Sequence, residues 1–196
     1  MQRPLFLAIL ILWACVQDTR GRARYVNAPN GEWTFDLTRS WARRSQLGDL
    51  QNRPMAPNDI ELRVWSGYGE PPANSPAFSG LILRREGGKW SAWRAEPTLA
   101  ARPTDSLIVN KINTQADLAQ VWQTAVAKGA LKLPQRVPRK WGMMDGGSYV
   151  VEVRTGSNYR ASSIEDVSPP EVDADRQVKD VYDAVFRPLF ESNPAR

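Results

Sequence analysis

Two tight, glycine-centred turns, each bracketed by runs of strand-forming residues, restrict what this chain can fold into more than any other feature. Gly80 to Arg85 and Trp90 to Ala95 flank Glu86-Gly87-Gly88-Lys89, and Ser148 to Arg154 and Tyr159 to Ser163 flank Thr155-Gly156-Ser157-Asn158. A short hairpin connection needs positive φ, which glycine adopts without steric cost, so each stretch predicts an antiparallel hairpin. Strand alternation then sorts the side chains. Trp90 and Ala92 share one face, with Ser91 and Trp93 on the other; Tyr149, Val151 and Val153 oppose Val150, Glu152 and Arg154.

Further elements follow from periodicity. Ile60 to Trp65 reads as a strand stopped by Ser66-Gly67-Tyr68-Gly69, and Leu107 to Ile112 as another. Glu32 to Leu37 alternates, with Trp33, Phe35 and Leu37 on one side, and predicts a half-buried strand. Arg39 to Pro57 is polar and interrupted by prolines and receives no assignment. A helix opening at Asn113-Thr114 carries Leu118, Val121, Trp122, Ala125 and Val126 on one stripe, with Thr114 as cap, Asp117 at the positive helix end and Gly129 as left-handed stop. Leu131 and Leu133 are expected to fold back onto the same core. A C-terminal helix carries Val178, Val181, Tyr182, Val185, Leu189 and Phe190, and Pro188 is expected to kink or end it. The expected fold is α+β: an antiparallel sheet of two hairpins plus one or two further strands, covered on one face by two amphipathic helices.

Histidine is absent and Cys15 is the one cysteine, so stability must come from the core rather than from disulfides. The start reads Met1-Gln2-Arg3-Pro4, then an apolar run from Leu5 to Trp13, far short of the roughly 20 residues that span a bilayer. A basic start, a short apolar core and a small residue before the break form an export signal. Its end, Leu12-Trp13-Ala14-Cys15, resembles a bacterial lipoprotein lipobox. Leu12 and Ala14 match the pattern, while Trp13 departs from the small or β-branched residue usual there. The resemblance implies cleavage before Cys15 and lipidation of its thiol. Val16 follows the cysteine, and no aspartate stands in the second mature position, which points to the outer rather than the inner membrane; the alternative location is secreted or soluble periplasmic.

The chain then divides into a signal (1–14), a tether (15–30) and one α+β domain (31–196). Net charge is +5 for the whole chain, but Arg20, Arg22 and Arg24 carry much of the excess. From Tyr25 onward 22 basic residues face 20 acidic ones, which gives no nucleic-acid signature. A short basic segment beside a lipid anchor instead suits anionic headgroups.

Partner binding has two sources of candidate residues. Tryptophan and tyrosine supply flat apolar faces with a polar tip, and Trp65, Tyr68 and Trp93 are the candidates of that kind. The densest polar cluster is Glu152, Arg154, Tyr159 and Arg160, where Glu152 could pair with Arg160 or Arg154 across the hairpin; a solvated sheet face with ordinary ion pairs is the competing interpretation. Catalytic constellations are poorly represented. The lack of histidine removes the serine triad and the Cys-His pair, and Gly-x-Ser-x-Gly, Ser-x-x-Lys and a phosphate loop do not occur. Asp36, Glu61, Asp145 and Glu152 could serve glycoside hydrolysis if two of them converged. No cofactor, metal or nucleic acid is implied. The expected function is a non-catalytic, lipid-anchored envelope protein that binds a protein or glycan through a sheet face. The alternatives are a secreted or periplasmic inhibitor or immunity-type protein, and a carboxylate-based glycan hydrolase.

Overall fold

The computed structural model describes residues 24–27, 33–68, 78–97, 106–133, 147–165 and 173–191. The signal segment and Cys15 lie outside these residues. The fold is α+β. Seven strands form one sheet: β1 (Arg24–Asn27), β2 (Ile60–Tyr68), β3 (Phe78–Glu86), β4 (Lys89–Pro97), β5 (Leu107–Ile112), β6 (Gly147–Thr155) and β7 (Asn158–Glu165), in the order β1-β7-β6-β2-β3-β4-β5. The helices are α1 (Trp33–Arg44), α2 (Leu118–Ala127) and α3 (Asp173–Glu191).

Both hairpins form as the glycines require, with Gly87 at φ 55° and Gly88 at φ 80° in the first turn and Gly156 at φ 53° in the second. The hairpins are not neighbours by direct pairing. β2 lies between them, antiparallel to β3 and to β6. β5 adds antiparallel to β4, and β1 adds parallel to β7 at the opposite edge. Four residues of the expected tether therefore belong to the sheet.

On one face Leu62, Val64, Leu81, Leu83, Ala92, Val151 and Val153 pack against Val121 and Ala125 of α2 and Val178, Val181, Val185 and Leu189 of α3. This is the layer of two amphipathic helices expected from the sequence. Helix α2 starts at Leu118 because Asp117 Oδ1 accepts from the backbone N–H groups of Ala119 (3.0 Å) and Gln120 (3.2 Å). Thr114, the expected cap, instead accepts from the Ala116 N–H. Gly129 takes the left-handed position at φ 100°. Leu133 is buried in this core, whereas Leu131 is 38% exposed. Helix α3 continues three residues past Pro188 to Glu191.

The other face is closed by α1 and the irregular segment 45–59. Leu37, Trp41, Ala42, Leu47, Leu50 and Met55 pack there with Trp65, Ile82, Ala95, Val150, Tyr159 and Ala161. The strand expected over Glu32–Leu37 is thus a helix from Trp33. Its buried positions, Leu37, Thr38, Trp41 and Ala42, follow the four-residue spacing of one helix face.

Candidate functional site

The face beneath segment 45–59 concentrates the buried charge. Reading alternate positions across the paired strands, one row runs Tyr159, Arg154, Glu61, Arg84, Ser91, and the next Ala161, Glu152, Arg63, Ile82, Trp93. Glu61 and Arg63 have no exposed side-chain surface. Glu61 Oε1 accepts from Arg63 Nε at 2.7 Å, and Oε2 accepts from Arg84 Nε at 2.7 Å and from Arg53 of the covering segment. Arg63 also donates to the carbonyls of Gly48 (2.8 Å) and Leu47 (3.0 Å). Arg154 donates to the carbonyls of Leu50 (2.8 Å), Gln51 (3.0 Å), Arg53 and Gly156 (3.0 Å). These two sheet arginines satisfy main-chain acceptors of a segment that makes no strand or helix of its own, as buried carbonyls require.

Beside them Glu152 accepts from Trp65 Nε1 at 3.1 Å and from the Tyr159 hydroxyl at 2.7 Å. The Trp65 indole is seated over Gly80, its partner on β3; a Cβ added there would lie 2.3 Å from Trp65 Cε3. At the rim Asp49 binds Arg39 (3.1 Å) and Arg43 (3.3 Å) and accepts from the Gln51 N–H (3.1 Å).

Burial by itself raises the Glu61 carboxyl, but Arg63, Arg84 and Arg53 more than offset it and hold it below the ordinary carboxylate range. Asp49 behaves alike: burial raises it, and Arg39, the Gln51 N–H and Arg43 bring it below its usual value. Burial pulls the Arg53 and Arg154 guanidiniums down, while for Arg39 the same effect is outweighed by Tyr159, Asp49 and Glu152 and its value rises. An acid or base for neutral-pH chemistry needs the reverse of what Glu61 and Asp49 show, a carboxyl lifted toward the working pH.

The structure brings together three of the residues singled out from the sequence, Trp65, Glu152 and Tyr159, through hydrogen bonds to one carboxylate. Arg154 lies on the same face, turned to carbonyls. All four are buried, so this part of the sheet is not the solvated surface that alternation alone allowed. Arg160 stands opposite Val153 and so belongs to the other face, out of reach of the expected pair with Glu152. Trp93 is half-buried, bonds Ser91 Oγ through Nε1 (3.1 Å) and lies under the Arg84 guanidinium at 5.7 Å. The Tyr68 backbone pairs with Gly147, and its side chain lies outside the described residues. Asp145 and Cys15 also lie outside them. Glu61 and Glu152 are diagonal neighbours on β2 and β6, about 7–8 Å apart at the backbone. Two acids therefore do come near each other, but sealed and fully supplied with donors.

A second cluster, an aromatic row, runs along α3. Tyr149 lies 4.6 Å from Tyr182, which stacks on Phe186 (5.1 Å), which stacks on Phe190 (4.8 Å). Lys179 caps one end, 4.9 Å from the Tyr149 ring, and Arg94 the other, 5.7 Å from Phe190. The spacing of 182, 186 and 190 was the available signal. Tyr149, Phe186 and Phe190 are half-buried. Beyond this row, at the edge of the sheet, Ile108 is 51% exposed.

Among the described residues no three acids, cysteines or histidines are grouped to hold a metal ion, and no helix is long and apolar enough to cross a membrane. No family model, curated protein or solved structure matches the chain.

Proposed function

We propose that this chain is a non-catalytic protein of the bacterial cell envelope, held to a membrane by lipid on Cys15, that binds a macromolecular partner. The observation that carries this reading is the position of the one thiol, directly after a short apolar run and within Leu12-Trp13-Ala14-Cys15. The chemistry of the buried charges supports the non-catalytic part. Glu61 and Glu152 are occupied on both oxygens by donors of the fold itself, which argues against the glycan hydrolase alternative. Both faces of the central strands are covered, so contact with a partner falls to the rims of the sheet and to the aromatic row. In that row Phe186 has a ring stacked on each side. Sugar stacking needs a free ring face, which the Phe186 ring, stacked by Tyr182 and Phe190, lacks; a protein partner fits the row better than a glycan.

Cys15→Ser tests the anchor. The variant is expected to escape processing at Cys15 and to move from the membrane fraction to the soluble fraction. Mass spectrometry of the mature wild-type chain is expected to show an N-terminal, lipid-bearing Cys15. Retention of Met1 in the wild type, or membrane association that Cys15→Ser leaves unchanged, would overturn the reading. A wild-type chain cleaved elsewhere and soluble would favour the secreted inhibitor or immunity-type alternative.

A further inference from the structure

We infer that the open corner of the ionic face, where the β3–β4 hairpin meets β5, is a binding site for a single oxyanion, a carboxylate or a phosphate group. The site does not depend on the anchor at Cys15. It shows in a contrast between two arginines that share one carboxylate. Arg63 and Arg84 each donate from Nε to Glu61 at 2.7 Å. Arg63 then gives Nη1 to the Gly48 carbonyl and Nη2 to the Leu47 carbonyl, so the fold uses every nitrogen of its guanidinium. Arg84 lacks that cover. Its Nη1 and Nη2 meet no acceptor among the described residues, and its side chain is 14% exposed, so these N–H groups reach solvent.

A guanidinium held in this way is preorganised for an anion. Glu61 fixes its Nε side, and the Trp93 ring, 5.7 Å away, supports its plane. What remains is the end of the fork, the parallel N–H bonds of Nη1 and Nη2, which match two oxygens of a carboxylate or phosphate. A second donor stands opposite. Ser91 pairs with Arg84 across the hairpin, and its Oγ accepts from Trp93 Nε1 at 3.1 Å. The Ser91 hydroxyl proton therefore points elsewhere, and it has no acceptor among the described residues. Charge acts in the same direction. Around this corner Arg53, Arg63, Arg84, Lys89 and Lys111 face Glu61, Glu86 and Asp59, five cations against three carboxylates. Asp59 is already turned to the Ala56 and Gly87 N–H groups. Burial lowers the Arg53 guanidinium, and against the pull of Glu61 the neighbouring Arg84 and Arg63 lower it further, as surplus positive charge does. An oxyanion at the Arg84 end relieves that surplus and engages both idle donors.

The test titrates the isotopically labelled full chain with sodium acetate and, separately, with inorganic phosphate, while chloride holds the ionic strength constant. The readout is the nuclear magnetic resonance signal of the Arg84 Nε–H and of the Trp93 Nε1–H. Both are expected to shift and saturate, with a dissociation constant of about millimolar order, as suits a ligand of so few atoms. Saturation by acetate assigns a carboxylate ligand, saturation by phosphate alone a phosphoryl group, and either supports the site. Arg84→Lys keeps the charge and removes the fork; it is expected to weaken binding about tenfold, followed at Trp93. Ser91→Ala lies outside the Glu61 network and is expected to weaken binding about fivefold, followed at Arg84. Failure of both anions to saturate either signal overturns the site. So does wild-type affinity in Arg84→Lys, which would reduce the corner to a general positive field, or in Ser91→Ala should Arg84→Lys not fold.

Discussion

Toward α2 and α3, strands β2, β3 and β6 present Leu62, Val64, Leu81, Leu83, Val151 and Val153; toward α1 and segment 45–59 the same strands present Glu61, Arg63, Trp65, Arg84, Glu152 and Arg154. The first face is held by non-directional burial, which many packings satisfy nearly as well. The second adds to an apolar cluster of its own a set of directional hydrogen bonds, in which Glu61, Arg63, Glu152 and Arg154 each meet named partners of the fold. A one-residue slip of β2 against β6 would exchange the faces, placing Glu61 among valines and Leu62 among guanidiniums. The apolar face thus supplies much of the stability, and the ionic face penalises any register but one. Buried ion pairs are weak sources of net stability but costly to break, which suits that role.

The sharpest way to break this comparison is Glu61→Gln. It leaves Arg63, fully buried, and Arg53 and Arg84 beside it without their shared anion. The expected loss is about 4 kcal/mol, read from the urea midpoint. Its pH dependence identifies the cause. The folded-state value of Glu61 is depressed, so its stabilisation is present in full above the unfolded-chain value of about 4.3 and is lost as pH falls through the lower folded value. The gap between wild type and variant should hold from neutrality to about pH 5 and close in acid. A gap that stays constant into acid would mean that the guanidiniums do not act on Glu61.

The matching change on the apolar face is Leu189→Ala in α3. It empties a buried site in the helix-side core and is expected to cost about 3 kcal/mol. Here the loss should be indifferent to pH over the range that closes the Glu61 gap; if it tracks the Glu61 effect, the two faces are not independent. Gly80→Ala probes the ionic face sterically. The added Cβ would overlap the Trp65 indole, and about 2 kcal/mol is expected from displacing it, with a shift in tryptophan fluorescence as the Nε1 bond to Glu152 lengthens. Unchanged emission and stability would show that Trp65 has room to move.

The sequence made the helix-side face legible because its signals are local: two glycine turns, alternating valines, and stripes at three- and four-residue spacing. The ionic face was hidden because its partners are distant. Arg154 meets the carbonyls of Leu50 and Gln51 more than a hundred positions away, and nothing near Val150, Glu152 and Arg154 announces that segment 45–59 will cover them. Alternation in Glu32–Leu37 imitated a strand because the window ended before Trp41 and Ala42, which complete the helical pattern. The β1 strand was masked in the same way: Tyr25 and Val26 favour a strand, but the edge they join is built from residues far along the chain. The stacked run from Tyr182 through Phe186 to Phe190 was hidden because Phe190 reads equally well as part of the buried stripe.

The smallest effect separates local from tertiary control on the apolar side. Asp117→Ala removes the acceptor for the Ala119 and Gln120 N–H groups and is expected to cost about 1 kcal/mol. Asp117 is exposed, so the substitution leaves the core packing of Val121 and Ala125 untouched. If α2 is positioned by its core packing and the cap acts only locally, hydrogen exchange should quicken in its first turn alone, with the rest of α2 and all of α3 protected as before. Quickening along both helices would mean instead that the cap sets the packing of the whole apolar layer. The local signals that made this face legible would then also be what holds it together, and the contrast with the ionic face, where long-range partners do that work, would be sharper still.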